Sequence, residues 1–146
     1  MLLLIIVIVA FVLVLALDLL LPGIAFFTTG QGWAPIGEAF TAAGWDRAFA
    51  YITSGTNWDR WLVIISTSVM VILWVVLVLI QLTKGRIGQA IAPIVGVSLN
   101  LVVTYIYLAW PNPEVFQMWQ RILLYVTFCF TPFSLLVQIL KASKND

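Results

Sequence analysis

Four long stretches of this chain carry no charged side chain, and they restrict its fold more than any other feature of the sequence. Residues 1–17 are apolar throughout, and residues 61–83, 87–113 and 122–140 contain no Asp, Glu, Lys or Arg. A helix of about 20 residues crosses a hydrocarbon layer of about 30 Å, so each stretch is long enough to span a bilayer. Membrane-spanning strands are shorter segments of alternating polarity, and these stretches do not alternate. The sequence therefore predicts an all-α integral membrane protein with four transmembrane helices in a bundle.

The predicted membrane domain occupies residues 1–146. Its spans are expected at about residues 2–22, 58–83, 87–110 and 120–140, with an outer segment at 28–57 and a tail at 141–146. Pro22 and Gly23 predict the end of the first span. That span also resembles a secretory signal, but no basic segment precedes it and no clear cleavage site follows. We therefore expect it to be retained.

The composition agrees with a lipid environment and excludes several classes of protein. Only 9% of the residues are charged and 63% are hydrophobic, whereas a soluble domain carries about 25% charged residues. The net charge of +1 leaves no basic face for a nucleic acid. The chain has no histidine and one cysteine, which excludes histidine-ligated haem or zinc, a catalytic histidine and an internal disulfide. We expect no metal, no cofactor and no catalysis.

The distribution of lysine and arginine predicts the orientation in the membrane. Lys84 and Arg86 lie in the short loop between the second and third spans, and Lys141 and Lys144 lie in the tail. Basic residues in short loops remain on the cytoplasmic side of a membrane. We therefore expect both termini to be cytoplasmic and the membrane to be a bacterial cytoplasmic (inner) membrane.

The outer segment carries an amphipathic pattern and lies at the edge where tryptophan concentrates. Its apolar residues between 35 and 52 fall roughly on one side of a helix, which predicts a short amphipathic helix in the membrane interface. Gly44 is expected to weaken or divide this helix, and Asp59 to cap the second span. Indole rings prefer the headgroup zone or a partner protein. The predicted partner or interface surface consists of Trp45, Trp58, Trp61, Trp110 and Trp119.

The third span carries small or polar residues at every fourth position. These residues are Gly88, Ala92, Gly96 and Asn100. Such spacing lets another helix approach closely, so we predict that they form the tightest helix contact. A hydrated channel would use the same residue types, but the spans offer no ring of charge to line one. Packing is therefore the preferred interpretation.

Asp18 is the one ionisable residue well inside an apolar stretch, about one turn from the predicted outer end of the first span. One interpretation pairs it with Arg121, at the start of the fourth span, in an ion pair that fixes helix register. The other interpretation makes Asp18 a carboxylate that binds a proton or another ion.

Three classes of function fit these observations to different degrees. The preferred class is a non-catalytic accessory subunit of a larger integral membrane complex, for example a respiratory or photosynthetic electron-transfer assembly. Its partners would be other integral membrane subunits and membrane lipids, whose packing it would stabilise. The alternative is a small channel or transporter, working as a homo-oligomer, that uses Asp18 and Asn100. A membrane enzyme is disfavoured, because no serine or cysteine has a plausible base.

Overall fold

A computed structural model describes the backbone of residues 1–54, 59–86, 88, 91, 93–111 and 113–144. Regular structure throughout this part is helical, which confirms the all-α prediction. The long helices are α1 (Leu2–Phe27), α4 (Asp59–Thr83), α5 (Ile94–Leu108) and α6 (Met118–Lys144). Between α1 and α4 lie two short helices, α2 (Ala34–Ala39) and α3 (Ala42–Ser54), and a 3-10 turn at Pro113–Val115 precedes α6.

Two of the long helices, α4 and α6, are each long and apolar enough to cross a membrane. Helix α1 has 26 residues and continues through Pro22 to Phe27. Helix α5 has 15 residues and begins directly after Pro93. Residues 87, 89, 90 and 92, at the predicted start of the third span, lie outside the described residues.

The two ends of the bundle differ in chemistry. At the end that we call the aromatic end, α1 and α5 finish and α4 and α6 begin, and the short helices α2 and α3 lie there. At the opposite end, which we call the basic end, α4 finishes near Lys84 and Arg86 and α6 finishes near Lys141. This division positions the candidate sites described below.

The turn after α4 is fixed by Gly85, whose φ is 71°. The N–H of Arg86 donates to the carbonyl of Gln81 over 2.8 Å, and the N–H of Gly85 donates to the carbonyl of Leu82 over 3.1 Å. This is the Schellman arrangement, which places one residue in the left-handed region and therefore favours glycine. The motif reverses the chain immediately after α4 and leaves Arg86 at the basic end.

The predicted interfacial helix is divided into α2 and α3, and the division falls at Phe40 and Thr41 rather than at Gly44. Gly44 lies buried in the first turn of α3. A Cβ atom at this position would overlap the backbone carbonyl groups of Glu38 and Ala39. Glycine is therefore needed because the two short helices approach each other closely.

Helix α6 contacts each of the other three long helices. Within the described residues the most extensive contact joins α4 to α6. Large apolar side chains on these helices, such as Met70, Leu77 and Leu135, are fully buried. The close approach of another helix to the third span stays a prediction.

Candidate functional site: two buried carboxyl clusters

The first candidate site surrounds Asp59, which is the first residue of α4 and is 0% exposed. Its carboxylate accepts hydrogen bonds from the hydroxyl groups of Tyr51 on α3 and Tyr107 on α5. The hydroxyl of Tyr125 on α6 donates to Oδ2 over 2.8 Å. Nη1 of Arg121, also on α6, lies 3.5 Å from the same oxygen. Side chains from α3, α5 and α6 thus meet a carboxylate of α4, and we call this group the Asp59 cluster.

The donors of the Asp59 cluster suit a buried negative charge. A carboxylate in an apolar interior is costly unless hydrogen bonds and an opposite charge compensate it. Burial, together with the neighbouring Asp59, raises the pKa of the Tyr51 phenol above its ordinary value, so the phenol keeps its proton and donates. Three phenols and one guanidinium therefore hold four helices in one arrangement at the aromatic end.

Sequence reasoning did not identify the Asp59 cluster. It treated Asp59 as a helix cap. The tyrosine partners lie 8, 48 and 66 residues from Asp59 along the chain, so local spacing does not reveal them. The usable signal was an acid at the start of one apolar helix and Arg121 at the start of the next but one, since in an up-and-down bundle these two helices run in the same direction and begin at the same end.

The second candidate site surrounds Asp18 on α1, which is also 0% exposed. The hydroxyl of Thr131 donates to Asp18 Oδ1 over 3.3 Å. Asn100 Nδ2 donates to Thr131 Oγ1 over 3.3 Å and to the carbonyl oxygen of Thr127 over 3.0 Å. The Thr104 hydroxyl donates to Asn100 Oδ1 over 3.3 Å. We call this chain of contacts between α1, α5 and α6 the Asp18 cluster.

One oxygen of the Asp18 cluster lacks a hydrogen-bond partner. Within the described part of the chain nothing donates to Asp18 Oδ2, although this atom is buried. Buried polar atoms are nearly always hydrogen-bonded, so an orphaned carboxyl oxygen requires an explanation. Asp18 therefore differs from Asp59, whose two oxygens both accept hydrogen bonds.

The structure does not bring Asp18 and Arg121 together, contrary to the predicted ion pair. Arg121 faces Asp59, whereas Asp18 contacts Thr131, which lies ten residues further along α6, about 15 Å away along the helix axis. The prediction failed because it ended the first span at Pro22. Since α1 continues to Phe27, Asp18 lies deeper in the bundle than the level at which α6 begins.

The predicted row of packing residues is only partly buried. Gly96 and Asn100 are buried in α5. Gly88 is exposed, and a Cβ atom built on it would meet nothing within 4 Å. Ala92 lies outside the described residues. The half of the row nearer the aromatic end therefore faces the interior of the bundle, and the close helix approach at this row stays a prediction.

The predicted tryptophan surface also divides into two groups. Trp45, Trp61 and Trp119 are exposed by 63%, 59% and 46%. Trp110 is instead buried, and its ring stacks on Phe26 with centroids 5.1 Å apart and an interplanar angle of 16°. It belongs to the apolar core because the chain turns inward after α5, so its assignment to the surface was wrong. Trp58 lies outside the described residues.

An apolar groove lies beside the exposed tryptophans, between α3, α4 and α5. Its volume is about 200 Å³. Its walls include Trp45, Phe49, Leu101 and Leu108, and they are almost entirely apolar. The groove is partly open to the surface of the bundle.

Comparisons with protein-family models, with curated proteins and with solved structures found no match to this chain. The class of protein is therefore defined by the fold and the two clusters. Over the residues that the structure describes, it is an all-helical protein with two helices able to cross a membrane and with the buried carboxyl groups of Asp18 and Asp59.

Proposed function

We propose that the chain is an integral membrane protein in which α1, α4, α5 and α6 all span the bilayer. The support is the apolar surface that the bundle leaves exposed. Leu3 on α1, Ile72 on α4 and Phe133 on α6 are 74%, 61% and 64% exposed, and they belong to a larger set of exposed apolar residues on these helices. Soluble monomers rarely expose continuous apolar surface on this scale, whereas lipid covers it at no cost.

We propose further that the basic end faces the cytoplasm, in a bacterial inner membrane. The arginines at the aromatic end have local partners. Arg47 Nε donates to the carbonyl of Ala109 over 2.9 Å, its Nη2 lies 3.9 Å from Glu38 Oε2, and Arg121 faces Asp59. The basic end carries Lys84, Arg86 and Lys141 beside the ends of α4 and α6, and basic residues in short connections stay on the cytoplasmic side.

The orientation is tested by labelling single cysteines in a Cys129→Ser background. A membrane-impermeant maleimide added to intact cells should label Thr53→Cys, which is exposed on α3, and should leave Ser143→Cys unlabelled until the cells are opened. Labelling of Ser143→Cys in intact cells would reverse the proposed orientation.

For the function, the proposal is a non-catalytic accessory subunit of a larger membrane complex. The observation that carries it is the exposed aromatic surface at the aromatic end, formed by Trp33, Trp45, Phe49, Trp61 and Trp119. Beside this surface the Asp59 cluster fixes four helices, so the aromatic side chains stand on a rigid support. Rigid aromatic residues are enriched at protein interfaces because they bury large areas at a low entropic cost. Such a surface suits another integral membrane subunit.

Co-purification tests this proposal. A tagged chain, extracted from its native membranes in mild detergent, should bring other integral membrane proteins with it in fixed stoichiometry. Trp45→Ala and Trp119→Ala should reduce their recovery, whereas Phe133→Ala should not, since Phe133 is equally exposed but lies away from the aromatic end. Purification of the chain alone, with no effect of the tryptophan variants, would contradict the accessory role.

Membrane lipids are the second proposed partner, and the apolar groove supports them. An acyl chain from the surrounding bilayer matches its apolar walls and its open side. Leu101→Trp should fill the groove and lower the amount of lipid that remains bound to the purified protein, as measured by mass spectrometry. Unchanged lipid retention would place the bound lipid elsewhere.

A small channel or transporter is the alternative, and the unpartnered oxygen of Asp18 favours it. In this alternative Asp18 and Asn100 would bind the transported ion within a homo-oligomer. Purified protein in liposomes should then conduct an ion flux that Asp18→Asn abolishes. If the protein conducts this flux and no other subunit co-purifies with it, the channel or transporter hypothesis would be preferred to the accessory role. If the wild-type protein conducts no flux, the channel or transporter hypothesis would be rejected.

A further inference from the structure

The buried carboxyl of Asp18 has no positive partner within reach among the described residues. Asp18 lies nine residues before the end of α1, about 14 Å along the helix from Phe27. The polar side chains that face it from α6 and α5 are Thr131, Thr127 and Asn100, and all three are neutral. An ionised carboxylate in these surroundings would lack the opposite charge that a buried ion requires.

Two buried prolines increase the number of free acceptors near this contact. Pro22 lies four residues after Asp18 and has no N–H, so the backbone carbonyl of Asp18 receives no helical hydrogen bond. Pro132 has the same effect on the carbonyl of Phe128 in α6. Both prolines are buried.

The contact between α1 and α6 is therefore rich in hydrogen-bond acceptors and poor in donors. The Thr131 hydroxyl already donates to Asp18 Oδ1. The Thr127 hydroxyl points toward backbone carbonyls, including that of Leu17 at 3.5 Å. Asp18 Oδ2 remains as an acceptor without a donor among the described residues. Within that part of the chain, this contact therefore lacks both a hydrogen bond to Oδ2 and a positive charge opposite Asp18.

A proton supplies both. Bound to Oδ2, it removes the negative charge of Asp18 and converts the orphaned acceptor into the hydroxyl group of a neutral carboxyl. A metal ion would need several oxygen ligands around Oδ2 and space for itself, whereas a proton needs one acceptor and almost no space. The geometry thus favours a proton over an alkali-metal ion.

We infer that Asp18 is a proton-binding site at the α1–α6 contact. The carboxyl group holds one proton on Oδ2 while the bundle is packed. Its loss would place an uncompensated charge between α1 and α6, so proton release accompanies loosening of this contact. The inference rests on the membrane setting proposed above, but it does not depend on any partner subunit.

Infrared spectroscopy of the purified chain in detergent tests the site directly. A protonated carboxyl has a C=O stretching band that an ionised carboxylate lacks. At pH 7 the wild-type protein should show this band, which should shift in D₂O and disappear in Asp18→Asn. The matched control is Asp46→Asn, which changes an exposed acid outside both clusters and should retain the band. Asp18→Glu should retain a shifted band, which keeps the test informative if Asp18→Asn does not fold.

Two results would overturn the inference. The absence of the band from folded wild-type protein would mean that Asp18 is ionised. A band that is absent in sodium chloride, but present when a bulky organic cation replaces sodium, would identify an alkali-metal site. Because the measurement uses the isolated chain, its outcome is independent of the co-purification result. Carbonate extraction of membranes separately tests the membrane setting.

Discussion

Replacement of Asp59 by asparagine should destabilise the protein more than any other isosteric change at the aromatic end. Asparagine keeps the shape of the side chain but removes its charge. The three phenols of the Asp59 cluster then face a neutral amide, one end of which is itself a donor. Arg121, whose side chain is only 16% exposed, loses its carboxylate partner at 3.5 Å.

The size of the effect follows from these contacts. A hydrogen bond to a charged group contributes about 1.5–3 kcal/mol, against about 0.5–1.5 kcal/mol for a neutral pair, so three weakened bonds lose roughly 3 kcal/mol. Removal of one partner from a buried ion pair costs about 3–5 kcal/mol. The two losses overlap, because both result from removal of the Asp59 charge. Arg121 also keeps a hydrogen bond, since its Nε donates to the carbonyl of Phe116. We therefore expect Asp59→Asn to lower the unfolding free energy by about 3–5 kcal/mol.

Unfolding in mixed micelles, followed by tryptophan fluorescence, measures this loss. Tyr107→Phe should cost about 1.5–3 kcal/mol, because it removes one charge-assisted donor. Tyr105→Phe is the matched control, since its hydroxyl lies at the same end but donates to the neutral carbonyl of Ala39. It should cost about 0.5–1.5 kcal/mol. If Asp59→Asn were no more damaging than Tyr105→Phe, the Asp59 cluster would not hold the helices together.

Three further substitutions test close packing, each by thermal unfolding in detergent. Gly44→Ala should destabilise the protein by about 1–3 kcal/mol, because its Cβ overlaps backbone carbonyls of α2, whereas Gly37→Ala meets nothing within 4 Å and should not destabilise it. Gly96→Leu should cost about 1–3 kcal/mol through overpacking, while Gly88→Leu, at an exposed position, should have almost no effect. Equal effects within either pair would contradict the packing described here. Trp110→Ala should lower the unfolding free energy by about 3–5 kcal/mol because it leaves a cavity in the core. A much smaller loss would indicate that Trp110 is exposed rather than buried.

Helix positions could be predicted from the sequence where hydropathy alone decides them. Helices α4 and α6 coincide closely with their charge-free stretches. The end of α1 was misplaced because Pro22 was treated as a terminator, whereas a helix packed against neighbours tolerates an internal proline. That error of five residues moved Asp18 toward the membrane edge and suggested Arg121 as its partner.

Polar partners could not be predicted, because they depend on helix depth and rotation. Asp59 and Arg121 each begin an apolar helix, and they meet only because α4 and α6 run in the same direction and lie in contact. Burial of Trp110 likewise depends on the turn after α5, which composition does not describe. Asn100 was assigned to packing from its spacing, and its burial agrees with that role, but its contacts with Thr131 and Thr127 required the structure.

Both buried acids take partners from α6, which follows the other described helices along the chain. Asp18 meets Thr131 across 113 residues of sequence, and Asp59 receives Arg121 and Tyr125 from the first turns of the same helix. Until α6 enters the bundle, neither acid has these partners, and long-range contacts of this kind form late. A chain truncated before α6 would therefore present two poorly compensated acids to lipid or to neighbouring proteins. Packing of α6 against the other helices thus completes both sites in one step.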